Sequence, residues 1–168
     1  GYAANEGAIT YTPSAPNNNT AIAPMKNIIM TFAEVEFIKT ELAFKGIISG
    51  DIESLYKSGI TAAMKIWNID TPSEYFSNGN VAYNGTFEQI MLQKYFALYF
   101  TDNQQWLEFR RTGFPVMPLQ PNLYNNGKMP VRYPYPQDVK RQNTENYQDA
   151  INQMGPDDIN TRVWWDIK

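Results

Sequence analysis

The 168-residue sequence contains no cysteine and no histidine. Without cysteine there is no disulfide framework and no thiolate metal site. Without histidine there is no serine–histidine–aspartate or cysteine–histidine nucleophile system, and no imidazole metal ligand. These absences exclude thiolate and imidazole metal sites within this chain, and no cofactor and no metal-binding residues are predicted in it.

The sequence also lacks an excess of positive charge and a long apolar run. Fourteen lysine and arginine residues against 17 aspartate and glutamate give a net charge of −3, with no basic cluster, so nucleic acid is not an expected partner. No apolar run approaches the roughly 20 residues that span a bilayer. The first residues have neither the basic start nor the apolar stretch of a signal peptide. The chain is thus interpreted either as cytoplasmic or as a mature or truncated piece of a longer protein.

What is present is a helical pattern in a chain that is 43% hydrophobic, which is enough for a compact core. Residues 1–30 have no steady period and are predicted to be an irregular lead-in. Beyond them, apolar residues recur at helical spacing in five segments: Phe32 to Gly46, Asp51 to Trp67, Thr86 to Leu98, Asp102 or Asn103 to Arg111, and Asn143 to Gly155. The short loop between the first two predicts an antiparallel hairpin.

The predicted fold is therefore all-α, with tetratricopeptide-like helical hairpins, long ordered loops rich in proline and glycine, and little strand. No clean 34-residue repeat is present. A short helix is expected after Pro136, and at most a short strand at residues 131–133. The spacing of Thr86 and Gln89 predicts a capping box. Lys94, a polar residue on an apolar stripe, is expected to extend its ammonium group past its neighbours.

Several motifs resemble, in order, the C-terminal region of the SusD/RagB family. They are an aromatic-x-Glu-x-x-Phe-x-x-x-Glu helix at Phe32–Glu41, with Thr40 where alanine is usual; Leu55-Tyr56 with Gly59-Ile60 and Met64; Glu88-Gln89-Ile90 with Gln93-Lys94-Tyr95; Trp106 with Arg110-Arg111-Thr112-Gly113-Phe114-Pro115; and the closing elements Pro130–Pro134, Asn143, Tyr147 and Trp164-Trp165-Asp166. By this resemblance residues 1–168 form the C-terminal region of one such domain, with residues 31–168 as helical hairpins and loops.

The resemblance implies a function as well as a fold. Members of the family are surface-exposed lipoproteins of the outer membrane that bind oligosaccharides or other nutrients beside a TonB-dependent, SusC-like channel, and they are not enzymes. The lipid anchor would lie outside this chain. Two alternatives stay open: a non-catalytic helical scaffold whose ligand is another protein, and a hydrolase whose acid and base lie elsewhere.

Candidate ligand-binding residues lie in the loop between the second and third predicted helices. Tyr75, Asn78, Asn80 and Tyr83 combine flat rings with amides, the mixture that sugar binding requires. The favoured alternative is that these rings pack the loop onto the helices.

Other conspicuous groups are interpreted as structural. Arg110 and Arg111 could bind an anionic ligand with two parallel hydrogen bonds. The favoured interpretation is structural: one of them is expected to bind loop carbonyls or to pair with Glu34, Glu36 or Glu88. Glu34 and Glu36 point in different directions on one helix and do not form a glycosidase pair. Asp157 and Asp158 are expected to serve a turn or cap, since no calcium-loop spacing surrounds them. The four tryptophans, at positions 67, 106, 164 and 165, are predicted to be core or packing residues.

Overall fold

The computed structural model describes residues 27–118 and 124–166. These residues contain six α-helices and no β-strand, so the predicted all-α fold is confirmed. The chain divides into two compact units. Among the described residues, the helical unit comprises 27–117 and the C-terminal unit comprises 118 and 124–166. No helix in these ranges is long and apolar enough to cross a membrane.

The helical unit contains four α-helices: α1, Phe32–Phe44; α2, Ile52–Ile66; α3, Phe87–Ala97; and α4, Gln104–Thr112. The loop between α2 and α3 includes a single 3₁₀ turn at Tyr75–Ser77. The boundaries agree with the predicted segments because the chain carries its own start and stop signals there.

Short polar residues begin α1 and α2. The Thr31 hydroxyl accepts a hydrogen bond from the Glu34 backbone N–H at 3.0 Å, and the Asp51 carboxylate accepts from two backbone N–H groups of the first turn of α2. Gly46, with φ of 69°, takes the left-handed conformation just beyond α1. Ala43 approaches Gly50 while Phe37 approaches Gly59, so α1 and α2 run antiparallel as predicted.

The core of the helical unit forms where α1 crosses α2 and α3. The fully buried ring of Phe37 lies against Gly59, where an added Cβ would approach Phe37 Cε2 to 2.8 Å. The Tyr56 ring meets Phe37 edge to face, with ring centroids 6.2 Å apart. Buried residues of α3, among them Ile90 and Met91, complete the same cluster. A small residue at position 59 thus allows the two helices to approach closely.

Tyr56 also fixes the loop that follows α2. Its hydroxyl donates to the Val81 carbonyl at 2.5 Å and accepts from the Gln89 side-chain amide at 2.9 Å. Burial raises the pKa of Tyr56 to about 12, so the phenol stays a donor at neutral pH. Because Tyr56 binds the Gln89 side chain, only half of the predicted capping box between Thr86 and Gln89 is formed. Thr86 caps the Gln89 backbone N–H, but the Gln89 amide bonds Tyr56 and the Asn80 carbonyl instead of returning to Thr86.

A network of charged side chains ties α4 to α1 and α3. Lys94 is buried and donates to Glu108 at 2.9 Å, so the prediction that its ammonium group extends past its neighbours is wrong. Arg111 makes two parallel bonds, of 2.7 and 2.6 Å, to the Glu41 carboxylate, and it also binds Glu108. The structural role expected for Arg111 is thus confirmed, but its partners are not those that the sequence suggested.

The described residues of the C-terminal unit contain two α-helices, α5 (Gln137–Gln142) and α6 (Thr144–Met154). Gly155, with φ of 96°, ends α6 as predicted. Residues 131–133 form no strand, and the Val131 N–H makes one backbone hydrogen bond to the Ile159 carbonyl at 2.8 Å.

Asp157, whose side chain is 4% exposed, organises the C-terminal unit. Its carboxylate binds Arg132 at 2.9 Å and Lys140 at 2.6 Å, and it accepts from the Tyr135 backbone N–H and the Tyr147 hydroxyl. Burial alone raises the pKa of Asp157, but these donors outweigh it, and the net effect lowers the pKa. Asp157 is therefore a structural residue, as the sequence indicated, with its oxygens occupied by protein donors.

Candidate ligand-binding site

The predicted loop residues lie between α2 and α3 with their rings turned partly toward the core. Tyr75 and Tyr83 are half-buried against the core cluster, and the Tyr83 ring lies 5.4 Å from that of Tyr56. Asn78 and Asn80 are exposed. The Asn78 side chain accepts from the Asn80 backbone N–H at 2.9 Å and so closes a turn at the loop tip. The rings thus support the loop, while the two amide side chains are accessible from solvent.

Of these four residues, Tyr75 lines a cavity in the helical unit that we call the aromatic pocket. It has a volume of about 160 Å³. Residues of α2, α3 and the intervening loop line it: Ile60, Ala63, Met64, Trp67, Ile69, Tyr75, Gln93, Phe96 and Ala97. None of these nine side chains carries a charge. The pocket is therefore an apolar recess with very few polar groups.

Helical spacing explains how the two helices build this pocket. Ile60, Met64 and Trp67 recur at intervals of three and four residues, which places them on one face of α2. Gln93 and Phe96 are three residues apart and therefore lie on one face of α3. Trp67, which the sequence assigned to the core, is half-buried, and its ring lies 5.8 Å from that of Phe100. The sequence pattern identified the stripe but not the gap between the two helices.

Gln93 is the polar side chain of the pocket that lies deepest. Only 6% of the residue is exposed. Across residues 27–118 and 124–166, no hydrogen bond joins its side-chain amide to another group, whereas Gln89 on the preceding turn uses its amide twice. The amide nitrogen and oxygen are not among the fully buried side-chain atoms that lack a partner, so they keep access to water in the pocket. Gln93 thus faces the pocket with its donors and acceptor available.

A second concave surface lies in the C-terminal unit. It has a volume of about 590 Å³ and is lined by Tyr135, Ala150, Gln153, Met154, Arg162, Val163, Trp164 and Trp165. Trp164 is 86% exposed and Trp165 is 61% exposed, so the prediction that this pair is a core or packing element is wrong for the residues that the structure describes. The two rings stand nearly perpendicular, with centroids 5.3 Å apart.

The described acidic residues pair mainly with cations of the protein. Within the described ranges, no group of three or more of them is placed to hold a metal ion. The buried carboxylates pair with cations: Glu36 with Lys39, Glu41 with Arg111, and Asp157 as described above. Arg110 lies over the Trp106 ring at 5.0 Å, in keeping with a structural role. These groups serve the scaffold.

Comparison with known proteins gives one family. A family model of SusD-like proteins, described as starch-binding and associating with the outer membrane, matches residues 1–136. A SusD homologue from Bacteroides fragilis is 29% identical, with a TM-score of 0.66, over 79% of this chain and 34% of its own. A Bacteroidetes SusD-like protein is 27% identical, with a TM-score of 0.70, over 83% and 30%. A chitin-binding protein is 26% identical, with a TM-score of 0.69, over 82% and 33%.

The chain spans about a third of the length of these solved structures. No curated protein matches it.

Proposed function

This chain belongs to the SusD-like family of starch-binding proteins associated with the outer membrane, and we propose on that basis that it is part of a glycan-binding or nutrient-binding protein of the outer membrane. The observation that carries the proposal is the family match over 136 of 168 residues. The shared helical fold supports it.

Two finer features are part of the proposal. The protein is a surface-exposed lipoprotein whose lipid lies outside these 168 residues, and it delivers its ligand to a TonB-dependent, SusC-like channel. Both rest on resemblance to the family. Co-purification of the full-length protein with such a channel, and mass spectrometry of its mature N-terminus, test them separately.

The proposed activity is binding, not catalysis. Ligands in this proposal are neutral sugars, which pack C–H faces on flat rings and hydrogen-bond through hydroxyls. The exposed amides of Asn78 and Asn80 and the half-buried rings of Tyr75 and Tyr83, all in one loop of the helical unit, offer both kinds of contact.

Isothermal titration of the full-length protein against maltoheptaose and chitohexaose tests the proposal. We expect saturable binding to at least one of them. Asn80→Ala is the informative variant, because its side chain is exposed and its carbonyl bond to Gln89 survives the substitution. Tyr83→Ala alone is less informative, since that ring also packs against Tyr56. Absence of heat with every glycan tested, in protein with an intact helical spectrum, would count against the function.

A second function, a helical scaffold that binds only another protein, is favoured by one observation. The exposed Trp164 and Trp165 are the kind of aromatic pair that protein interfaces bury. Substituting both with alanine separates the two functions. Lost channel association in a protein whose parent binds no glycan would support the scaffold, whereas saturable glycan binding by the parent would support the glycan receptor.

A further inference from the structure

We infer that the aromatic pocket between α2 and α3 binds a single pyranose ring of a neutral glycan, with the Gln93 amide as its hydrogen-bonding group. This inference rests on the proposed function and names the place where one sugar residue would be held. It differs from the loop proposal, because its key residues lie on helices and its key polar group is buried.

The lining of the pocket restricts the chemistry of the ligand. None of the nine lining residues is charged, so nothing there compensates the desolvation of a phosphate, a carboxylate or an ammonium group. A purely apolar ligand is disfavoured for the opposite reason, because it would seal the Gln93 amide away from every partner. A neutral ligand with apolar faces and polar edges satisfies both conditions, and a pyranose ring has this character.

Gln93 has the bonding capacity that a sugar requires. A glutamine amide offers two N–H donors and a carbonyl acceptor, and neighbouring hydroxyls of a pyranose both donate and accept. Its side chain is held by burial on α3, so little conformational entropy is lost when a ligand bonds to it. Gln89 shows the contrasting case on the same helix, since its amide is already committed to Tyr56 and the Asn80 carbonyl.

Aromatic rings supply the walls. Trp67 lies at the end of α2, and Tyr75 lies in the loop that follows it. Phe96, on α3, has 57% of its surface exposed to solvent. Phe100, whose backbone φ is 61°, packs its ring against Trp67. For a bulky residue this conformation is strained and must be held by its surroundings. With a volume of about 160 Å³, the recess suits one ring and not an extended chain.

The test combines two variants and one matched control in the full-length protein. Gln93→Leu removes the amide while keeping a similar volume, and Phe96→Ala removes the exposed ring. Phe32→Ala is the control, because Phe32 is similarly exposed at 65% but lines a different groove on α1 and α2. Maltoheptaose and chitohexaose are the probes, affinity is measured by titration calorimetry, and thermal unfolding confirms that each variant is folded.

We expect Gln93→Leu and Phe96→Ala each to weaken binding of the preferred probe by about threefold to tenfold, the loss of one hydrogen bond or one ring contact. Phe32→Ala should bind like the parent. Selective ¹⁵N-glutamine labelling gives a direct readout: the Gln93 side-chain resonance, identified by its loss in Gln93→Leu, should shift on addition of the probe.

Two negative results have different meanings. If the parent protein binds a probe, but both variants bind it equally well and the Gln93 resonance does not move, the pocket assignment is overturned and the glycan-binding function stands. If the parent protein binds no glycan, the proposed function fails and the pocket assignment fails with it.

Discussion

The ion pair between Glu41 and Arg111 should make the stability of the helical unit depend on acid. Glu41 is 8% exposed at its side chain and receives two short bonds from Arg111 and one from Lys45. Burial alone raises the pKa of Glu41, but the two cations outweigh it and lower the pKa from 4.5 to about 2. At about 1.4 kcal/mol per tenfold change in acid strength, this fall corresponds to about 3 kcal/mol. Arg111 is 44% exposed, so solvent screening reduces the expected contribution to about 1–2 kcal/mol.

The sign of the pH dependence follows from the lowered pKa. The unfolded chain binds a proton at position 41 more readily than the folded one, so this stability is present above pH 4.5 and is lost as the pH falls toward 2. Glu41→Gln should therefore unfold more easily than the parent by about 1–2 kcal/mol at pH 7, and by clearly less at pH 3. Urea unfolding followed by circular dichroism at both pH values measures the difference. An equal difference at pH 7 and pH 3 would refute the reasoning, because it would show that the charge of Glu41 contributes nothing.

Three further predictions concern packing and exposure. Gly59→Ala should lower the free energy of unfolding by about 1–3 kcal/mol in a urea titration, because its new methyl group meets the Phe37 ring at 2.8 Å. Gly79→Ala is the matched control, because the space around Gly79 is open, and it should change the free energy of unfolding by less than about 1 kcal/mol. Asp157→Asn should lower the stability of the C-terminal unit by about 1–3 kcal/mol, because it weakens two ion pairs around a buried carboxylate. Faster amide hydrogen exchange in α5 and α6 would show this loss, and unchanged exchange would contradict the role of Asp157. Trp164→Ala should shift the free energy of unfolding by no more than about 0.5 kcal/mol, since 86% of the residue is already exposed, and a larger loss would indicate a contact absent from this structure.

Features encoded by neighbouring residues were predictable from the sequence. Thr31 and Asp51 start their helices, and Gly46 and Gly155 end theirs, because each signal acts within one helical turn. The antiparallel hairpin followed from the shortness of its loop. These local rules suffice for an all-α fold, in which most backbone hydrogen bonds are made within each helix.

Features that depend on distant partners were not predictable in detail. Lys94 finds Glu108 fourteen residues away, and Arg111 finds Glu41 seventy residues away. Both pairings depend on how helices are placed in space, which periodicity does not specify. Trp164 is a further example. An apolar residue in a family motif suggests packing, but the sequence does not determine which surface covers it, and Trp164 is exposed in this structure.

Gln89 and Gln93 show why the candidate site had to be found in three dimensions. They are the same residue type, four positions apart on α3, and both are buried, so sequence and burial alone do not distinguish them. Gln89 lies where Tyr56 and the Asn80 carbonyl meet it, and its amide therefore stabilises the fold. Gln93, one turn later, lies where α2 and α3 leave a gap walled by Trp67, and its amide has no such partner among the described residues. The amide keeps access to water in the open pocket, so a ligand that displaces this water must replace its hydrogen bonds, which a sugar hydroxyl does and a purely apolar group does not.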